Sequence, residues 1–327
     1  MNGNKPFLLK PAAKDYLWGG SRLNDDFNLG ISISPFAEAW VCSTHPDGVS
    51  FCAGTNEPLK EVLPKHPEWL GSHVLQITEG KPELPILIKL IDAKRDLSVQ
   101  VHPDDNYAKE HEDQWGKTEM WYVLGARNDS ELIYGFSKDV DRESVKNAVS
   151  NGTISSLLNH VPVRKDDVFF IESGTVHAIG AGCLIAEIQQ SSNLTYRLYD
   201  YDRVDKWGRK RDLHIEKALN VMKMNSSAIP RQPLRVLKYK AGYASELLTR
   251  CKYFQVERLL LDTENRRIAD FQTKSNSFHA LLCVDGCGSI FGEGCMLNFF
   301  KGDCIFVPAD SIELKIHGKA QLLDVSC

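Results

Sequence analysis

Asp96-Leu97-Ser98-Val99-Gln100-Val101-His102-Pro103-Asp104-Asp105 is the stretch on which the reading of the chain turns. Leu97, Val99 and Val101 alternate with Ser98, Gln100 and His102, the period-2 pattern of a half-buried β-strand. Polar neighbours on one face of such a strand stand about 6.8 Å apart. An edge strand whose polar face meets water has the same residue types, so the stretch acquires chemical meaning only with companions. Glu119 opens the apolar run Met120 to Leu124, where an unpaired carboxylate would be costly. His177 ends Glu172-Ser-Gly-Thr-Val-His177, a turn tightened by Gly174 before the apolar run at 183–188. Two imidazoles and a carboxylate suit a borderline divalent ion such as zinc, and three protein ligands leave a position for water or substrate. Gln100, on the same face as His102, can add an amide oxygen. No short-spaced motif fixes this geometry, so a solvated edge and a metal site both stand at this point.

Outward from this stretch, the chain reads as short strands between Gly, Pro, Asn and Asp clusters. The pattern predicts strands at 86–91, 97–102, 120–124, 131–136, 168–171, 183–188, 278–284, 289–291 and 304–307. Helical spacing is confined to 58–70, 141–149 with a continuation over 153–159, and 213–223. A weak repeat aligns Lys165-Asp-Asp167-Val-Phe-Phe-Ile171 with Lys301-Gly-Asp303-Cys-Ile-Phe-Val307. In that register His177 falls on Glu313, so the second copy keeps a turn and strand but loses the histidine. The chain is expected to be mainly β, with two related β domains and only the first chemically equipped.

Composition bounds the function. The 327 residues suggest two domains, and 43% hydrophobic with 25% charged residues is a globular balance. A net charge of −4 lacks the basic footprint of a nucleic-acid binder. No apolar run reaches the roughly 18 residues needed to span a bilayer; Ile86 to Ile88 is cut by Lys89. The first residues show no secretory signal. Nine cysteines, an odd number without a CxxC pair, read as reduced thiols in a cytoplasmic protein. All six tryptophans precede residue 210, and Asn225 to Pro233 has linker character. The expected division is 1–232 for a metal-binding domain with helical insertions and 233–327 for a metal-free one.

Four segments carry a specific resemblance: Gln100-Val-His-Pro-Asp104, Gly116-Lys-Thr-Glu-Met-Trp-Tyr122, Gly174-Thr-Val-His-Ala-Ile179 and Tyr196-Arg-Leu-Tyr-Asp-Tyr201. In this order and over essentially the whole chain, they resemble the shorter bacterial form of the type I phosphomannose isomerases. That resemblance implies two cupin-type (jelly-roll) β-barrel domains with a few satellite helices. It implies one Zn2+ per chain, bound by Gln100, His102, Glu119 and His177, and an active-site arginine at Arg197. Lys89 and Ser98 match positions near the substrate phosphate, and Lys117 and Glu187 match further pocket positions. Asp15, Trp18 and Gly19 resemble an N-terminal stretch near the pocket. The sixteen residues between His102 and Glu119, and Gln100 where many cupins have histidine, depart from the common cupin pattern in the isomerase direction.

The implied reaction interconverts mannose 6-phosphate and fructose 6-phosphate through a cis-enediol. Arg197 stays protonated and suits charge stabilisation or clamping rather than proton abstraction. The proton carrier is Glu187, Lys117 or a metal-bound water, with Glu187 favoured. The implied partner is a small-molecule sugar phosphate, with no nucleic acid or membrane, on a monomer or weak homo-oligomer. The alternative is a metal-dependent cupin that acts on, or merely binds, another sugar phosphate. A cupin iron oxygenase is disfavoured by the amide ligand.

Overall fold

A computed structural model describes residues 4–327 except Asn28, Lys206, Ile229, Arg231, Pro233, Asn265 and Arg266. The expected linker Asn225 to Pro233 lies partly outside the described residues. Three sheets dominate. A six-stranded sheet runs in the order Val168–Ile171, Glu119–Gly125, Leu184–Gln190, Ile86–Asp92, Glu38–Cys42, Ala12–Lys14. A five-stranded sheet runs Tyr196–Tyr199, Val99–Val101, His177–Ile179, Glu131–Phe136, Leu158–Pro162. A ten-stranded sheet holds the strands after residue 237 and also Phe7–Lys10 and Phe51–Cys52, with Phe7 opposite Phe306. The chain is mainly β, as the sequence pattern and the cupin resemblance imply. The six- and five-stranded sheets are separate hydrogen-bonded sheets packed face to face, so this unit is a sandwich rather than a closed barrel.

Burial explains why some strands alternate and others do not. Between the six- and five-stranded sheets lie Trp121, Val123, Phe169 and Ile185 against Leu132, Val161 and Ile179. The other face of the six-stranded sheet packs Ile86, Ile88, Met120 and Ile188 against Val256, Ala280, Leu282 and Phe306 of the ten-stranded sheet. Strands covered on both faces have no solvent side, so Ile86–Asp92 and Leu184–Gln190 are buried at every residue. Lys89 and Glu187 are therefore charges inside a core. The five-stranded sheet turns its other face to helices Arg142–Ser150 and Ile215–Val221, through Val145, Val149, Ala218 and Leu219.

The helices differ from the sequence reading in extent. Residues 58–70 form helix Leu59–Val62 and then the 3-10 turns Leu63–Lys65 and Pro67–Trp69. Pro64 and Pro67 lack N–H donors and deny a continuous α-helix. Helices Ser72–Ile77 and Asp105–Glu112 follow without having been expected, and the helix expected at 141–149 starts in place, with Asp141 accepting a 2.7 Å bond from the Ser144 N–H. Its anticipated continuation is a single turn, Ile154–Leu157, before strand Leu158–Pro162. Among the described residues no helix is long and apolar enough to cross a membrane.

The repeat is physical. Asp167 accepts from the Arg164 N–H and Asp303 from the Phe300 N–H, each at 2.8 Å. Asp166 and Gly302, at matching positions, have φ of 74° and 100°, the left-handed region that favours glycine. Their N–H groups donate to the carbonyls of Val123 and Cys283, each at 2.8 Å. The order Cys304–Val307, His279–Gly292, Leu314–Ser326, Gln255–Asp262, Tyr243–Arg250, Lys238–Lys240 thus reproduces the six-stranded sheet strand for strand.

Candidate metal centre and substrate cavity

Gln100 lies on the short strand Val99–Val101 and His102 follows it; His177 opens the neighbouring strand, opposite Gln100. Glu119 comes from the facing sheet, opposite Ile171. The Nδ1–H of His102 donates to the Leu194 carbonyl at 2.7 Å, and that of His177 to the Thr175 carbonyl at 2.8 Å. These bonds hold the ring protons on Nδ1 and turn both Nε2 lone pairs inward. The Nε2 atoms lie 3.1 Å apart, each able only to accept. Burial pushes both imidazoles down, His177 to about 4 and His102 well below its ordinary value. Protonation of either ring is therefore a poor way to reconcile them.

Glu119 completes the group. Its Oε1 is 3.3 Å from His177 Nε2 and its Oε2 is 3.7 Å from His102 Nε2. It is fully buried; Oε2 is ion-paired with Lys117 Nζ at 3.3 Å, and Oε1 has no hydrogen-bond donor. Burial, reinforced by Glu187, raises its pKa. Gln100 Nε2 lies 3.5 Å from His177 Nε2. Turning that amide over puts its oxygen toward the cluster and its NH2 toward the Ser98 hydroxyl, now 3.5 Å from Oε1. A buried carboxylate with one oxygen lacking any donor, beside two inward lone pairs, is the donor set of a divalent cation. His102, Glu119 and His177 are the group among the described residues whose ligand atoms converge, all within 4.8 Å of one another.

A cavity of about 320 Å³ opens beside this group, lined by Gln100, Lys117, Lys89, Glu187, Ser98 and Arg197. Glu187 is opposite Lys89 on one neighbouring strand and Trp121 on the other. Lys89 Nζ is 3.0 Å from its Oε1, and the Trp121 indole donates to its Oε2 at 3.0 Å. Burial pushes the Glu187 carboxyl up, but Lys89, Lys117 and these contacts outweigh burial and lower its pKa. Lys89 also lies 3.9 Å from Glu38, whose carboxylate accepts from the Trp40 indole at 2.6 Å. Arg197 donates through Nε to Ser98 Oγ at 3.3 Å and through Nη1 to the Asp212 carbonyl at 2.9 Å.

The structure thus gathers all nine expected site residues around one buried point and its cavity. Trp18 lines the cavity too, whereas Asp15 borders a neighbouring hollow. Gly19 packs against Ala37, where a Cβ would meet backbone at 2.6 Å. Sequence reasoning missed Tyr16, Glu38, Asn193, Thr195 and Arg211 on the cavity wall. Glu38 carried a signal, a carboxylate in the apolar run Phe36 to Val41, like that of Glu119. A larger cavity of about 630 Å³, around His279 and Asp324, lies apart from all nine.

Residues 7–130 match the family model for the phosphomannose isomerase type I catalytic domain, and 244–327 match that for the mannose-6-phosphate isomerase cupin domain. The chain is 43% identical over 325 residues to "Probable mannose-6-phosphate isomerase GmuF" of Bacillus subtilis, covering 97% of this chain and 98% of that one. The chain belongs to the type I phosphomannose isomerase family. Mannose-6-phosphate isomerase ManA of the same organism is 34% identical, over 98% of each chain. A crystal structure of the mannose 6-phosphate isomerase from Bacillus subtilis superposes with a TM-score of 0.87 at 32% identity, covering 98% of this chain and 99% of that one. These isomerase relatives align over nearly the whole chain, the strands of the ten-stranded sheet included.

Proposed function

We propose that the chain interconverts mannose 6-phosphate and fructose 6-phosphate through a cis-enediol, with one Zn2+ per chain held by Gln100, His102, Glu119 and His177. The reading is carried by the two inward Nε2 atoms, 3.1 Å apart beside a buried carboxylate whose Oε1 has no hydrogen-bond donor. When bound, the ion supplies a Lewis acid, or an anchor, for the sugar oxygens at C1 and C2.

The protein groups then divide the remaining work. Glu187 is buried, ionised and fixed from both sides, as suits a base that carries one proton between C2 and C1. Lys117, beside Glu119 and on the cavity wall, is the second candidate for proton exchange with a sugar oxygen. Arg197 stabilises the enediolate or clamps the substrate, since guanidinium keeps its proton. Ser98, bonded to Arg197, meets the phosphate end. Lys89, expected at the phosphate, has its charge engaged by Glu187 and Glu38, and its better assignment is to keep Glu187 ionised. The division 1–232 and 233–327, a cytoplasmic setting and a monomer or weak homo-oligomer complete the proposal; all nine cysteines are free thiols.

The test is a coupled assay on mannose 6-phosphate before and after chelation, with zinc then restored. Fructose 6-phosphate formation that vanishes and returns supports both halves. A fully metallated protein without turnover refutes the reaction, and turnover after proven metal removal refutes the metal role.

A further inference from the structure

Arg211 belongs to a basic run, Arg209-Lys210-Arg211, that reads in sequence as solvated surface. Its neighbours do pair locally: Arg209 with Asp205 at 3.0 Å and Lys210 with Asp202 at 2.6 Å. Arg211 instead turns inward to line the cavity. Its Nε donates to Asp200 Oδ2 at 2.8 Å and its Nη2 to Asp200 Oδ1 at 2.5 Å. Asp200 is buried and also pairs with Arg203. Arg197, on the same wall, has its pKa lowered by burial and then by Arg211 and Arg203. Its guanidinium donates to a hydroxyl and a backbone carbonyl, not to a carboxylate.

Arg211 and Arg203 share the carboxylate of Asp200, and Arg197 beside them feels both Asp200 and Asp212, so three guanidiniums against two carboxylates leave about one positive charge in excess near the end of the cavity marked by Ser98, Arg197 and Arg211. The far end pairs its charges, with Lys89 between Glu187 and Glu38 and Lys117 beside Glu119. A phosphate monoester carries about −1.5 to −2 charges at neutral pH, the sign that this excess attracts. Asp200 engages two of the five N–H donors of Arg211, and the remaining three are free of it to make a forked contact with phosphate oxygens.

We infer that Arg211, braced by Asp200, is the specificity-determining residue for the substrate phosphate, with Ser98 beside it. The inference rests on the sugar-phosphate reading of this cavity. Arg211 recognises and Asp200 positions; neither takes part in the proton transfer.

The experiment compares wild type, Arg211→Gln, Arg211→Lys and Asp200→Asn, each with restored zinc and a checked melting curve. For Arg211→Gln the expected result is a KM for mannose 6-phosphate raised about 10- to 100-fold with kcat nearly kept. Inorganic phosphate, titrated as inhibitor and by calorimetry, should weaken in parallel. Arg211→Lys should recover part of the loss, and Asp200→Asn should give a smaller KM rise in the same direction. A folded Arg211→Gln protein with unchanged KM and unchanged phosphate affinity overturns the inference. If wild type fails to turn over mannose 6-phosphate, the parent reading fails; calorimetric phosphate binding that Arg211→Gln weakens still upholds the anion site, and binding that it leaves unchanged overturns it.

Discussion

The six-stranded sheet and its copy in the second half of the chain share strand order and turn geometry, yet one gathers a metal-ligand group and the other does not. Pairing register makes the comparison residue by residue. Ile171 faces Glu119, and its counterpart Val307 faces His279. By the same ladders Asp324 stands where Glu187 does, and Glu257 where Lys89 does. In the second sheet the polar groups satisfy each other: His279 Nδ1 bonds Asp324 Oδ1 at 2.7 Å, and Gln255 donates to Glu257 at 3.0 Å. In the first sheet Glu119 Oε1 has no donor and faces the His177 Nε2 lone pair at 3.3 Å. The scaffold brings polar side chains to a sandwich interior in both halves. Chemistry requires in addition that some of them be left without partners.

The largest effect should come from exchanging that distinction. His177→Ala removes one inward lone pair, and the loss of metal-derived stabilisation is worth several kcal/mol, roughly a thousandfold in kcat/KM. Metal content by mass spectrometry should fall with activity. His279→Ala, at the position matching Glu119 in the copy, should leave zinc stoichiometry and turnover intact. Equal losses from the two variants would mean that the halves are not chemically distinct.

Arg197 tests the cavity rather than the metal. Arg197→Ala should lower kcat by about 100- to 1000-fold, the cost of one preorganised donor to developing charge, while KM moves far less. This is the reverse of the split expected for Arg211→Gln, so steady-state kinetics on the two variants separates the chemical step from recognition. Unchanged turnover removes Arg197 from the catalytic residues.

The same contrast accounts for what could be read in advance. Strands 131–136, 168–171 and 304–307 have the predicted bounds because polar turns punctuate apolar runs there. The predicted pieces 278–284 and 289–291 are one long strand, His279–Gly292, whose Gly286 carries a left-handed φ of 75° within continued pairing. A glycine read as punctuation was a bend. Glu119 and His177 were legible because charge or imidazole in an apolar setting demands a partner. Arg211 was not, since a basic run looks solvated until the fold shows which member turns inward. The engagement of Lys89 by two carboxylates was equally hidden, because cross-strand register decides it.

Lys89 and Glu257, at matching positions, carry opposite charges. Lys89 lowers the pKa of Glu187, so Lys89→Met should raise it, and the retained Glu38 adds a like charge nearby. The ionised base would then be lost at higher pH than in wild type. The acid limb of kcat/KM should move upward by about 1 to 3 units, with activity best preserved at alkaline pH. A pH–rate profile that keeps its acid limb would show that Glu187 is not the titrating base or that Lys89 does not control it.

The smallest effect belongs to the ten-stranded sheet and concerns stability. Asp324 and then Glu257 raise the pKa of His279 against the opposing effect of burial. A histidine whose folded pKa lies above its unfolded value of about 6.5 contributes stability that is complete below that value and fades as pH rises through the folded pKa. The contact is partly solvated, with 24% of the His279 side chain exposed, so its contribution is about 1 kcal/mol or less. Asp324→Asn should therefore lower the melting temperature by a few degrees at most near pH 6, and by less near pH 8.5. A larger loss at the alkaline end would mean that Asp324 matters through neutral hydrogen bonding rather than charge. Activity at low temperature should be indifferent to the change, because this sheet reproduces the frame of the catalytic one while its polar groups neutralise each other.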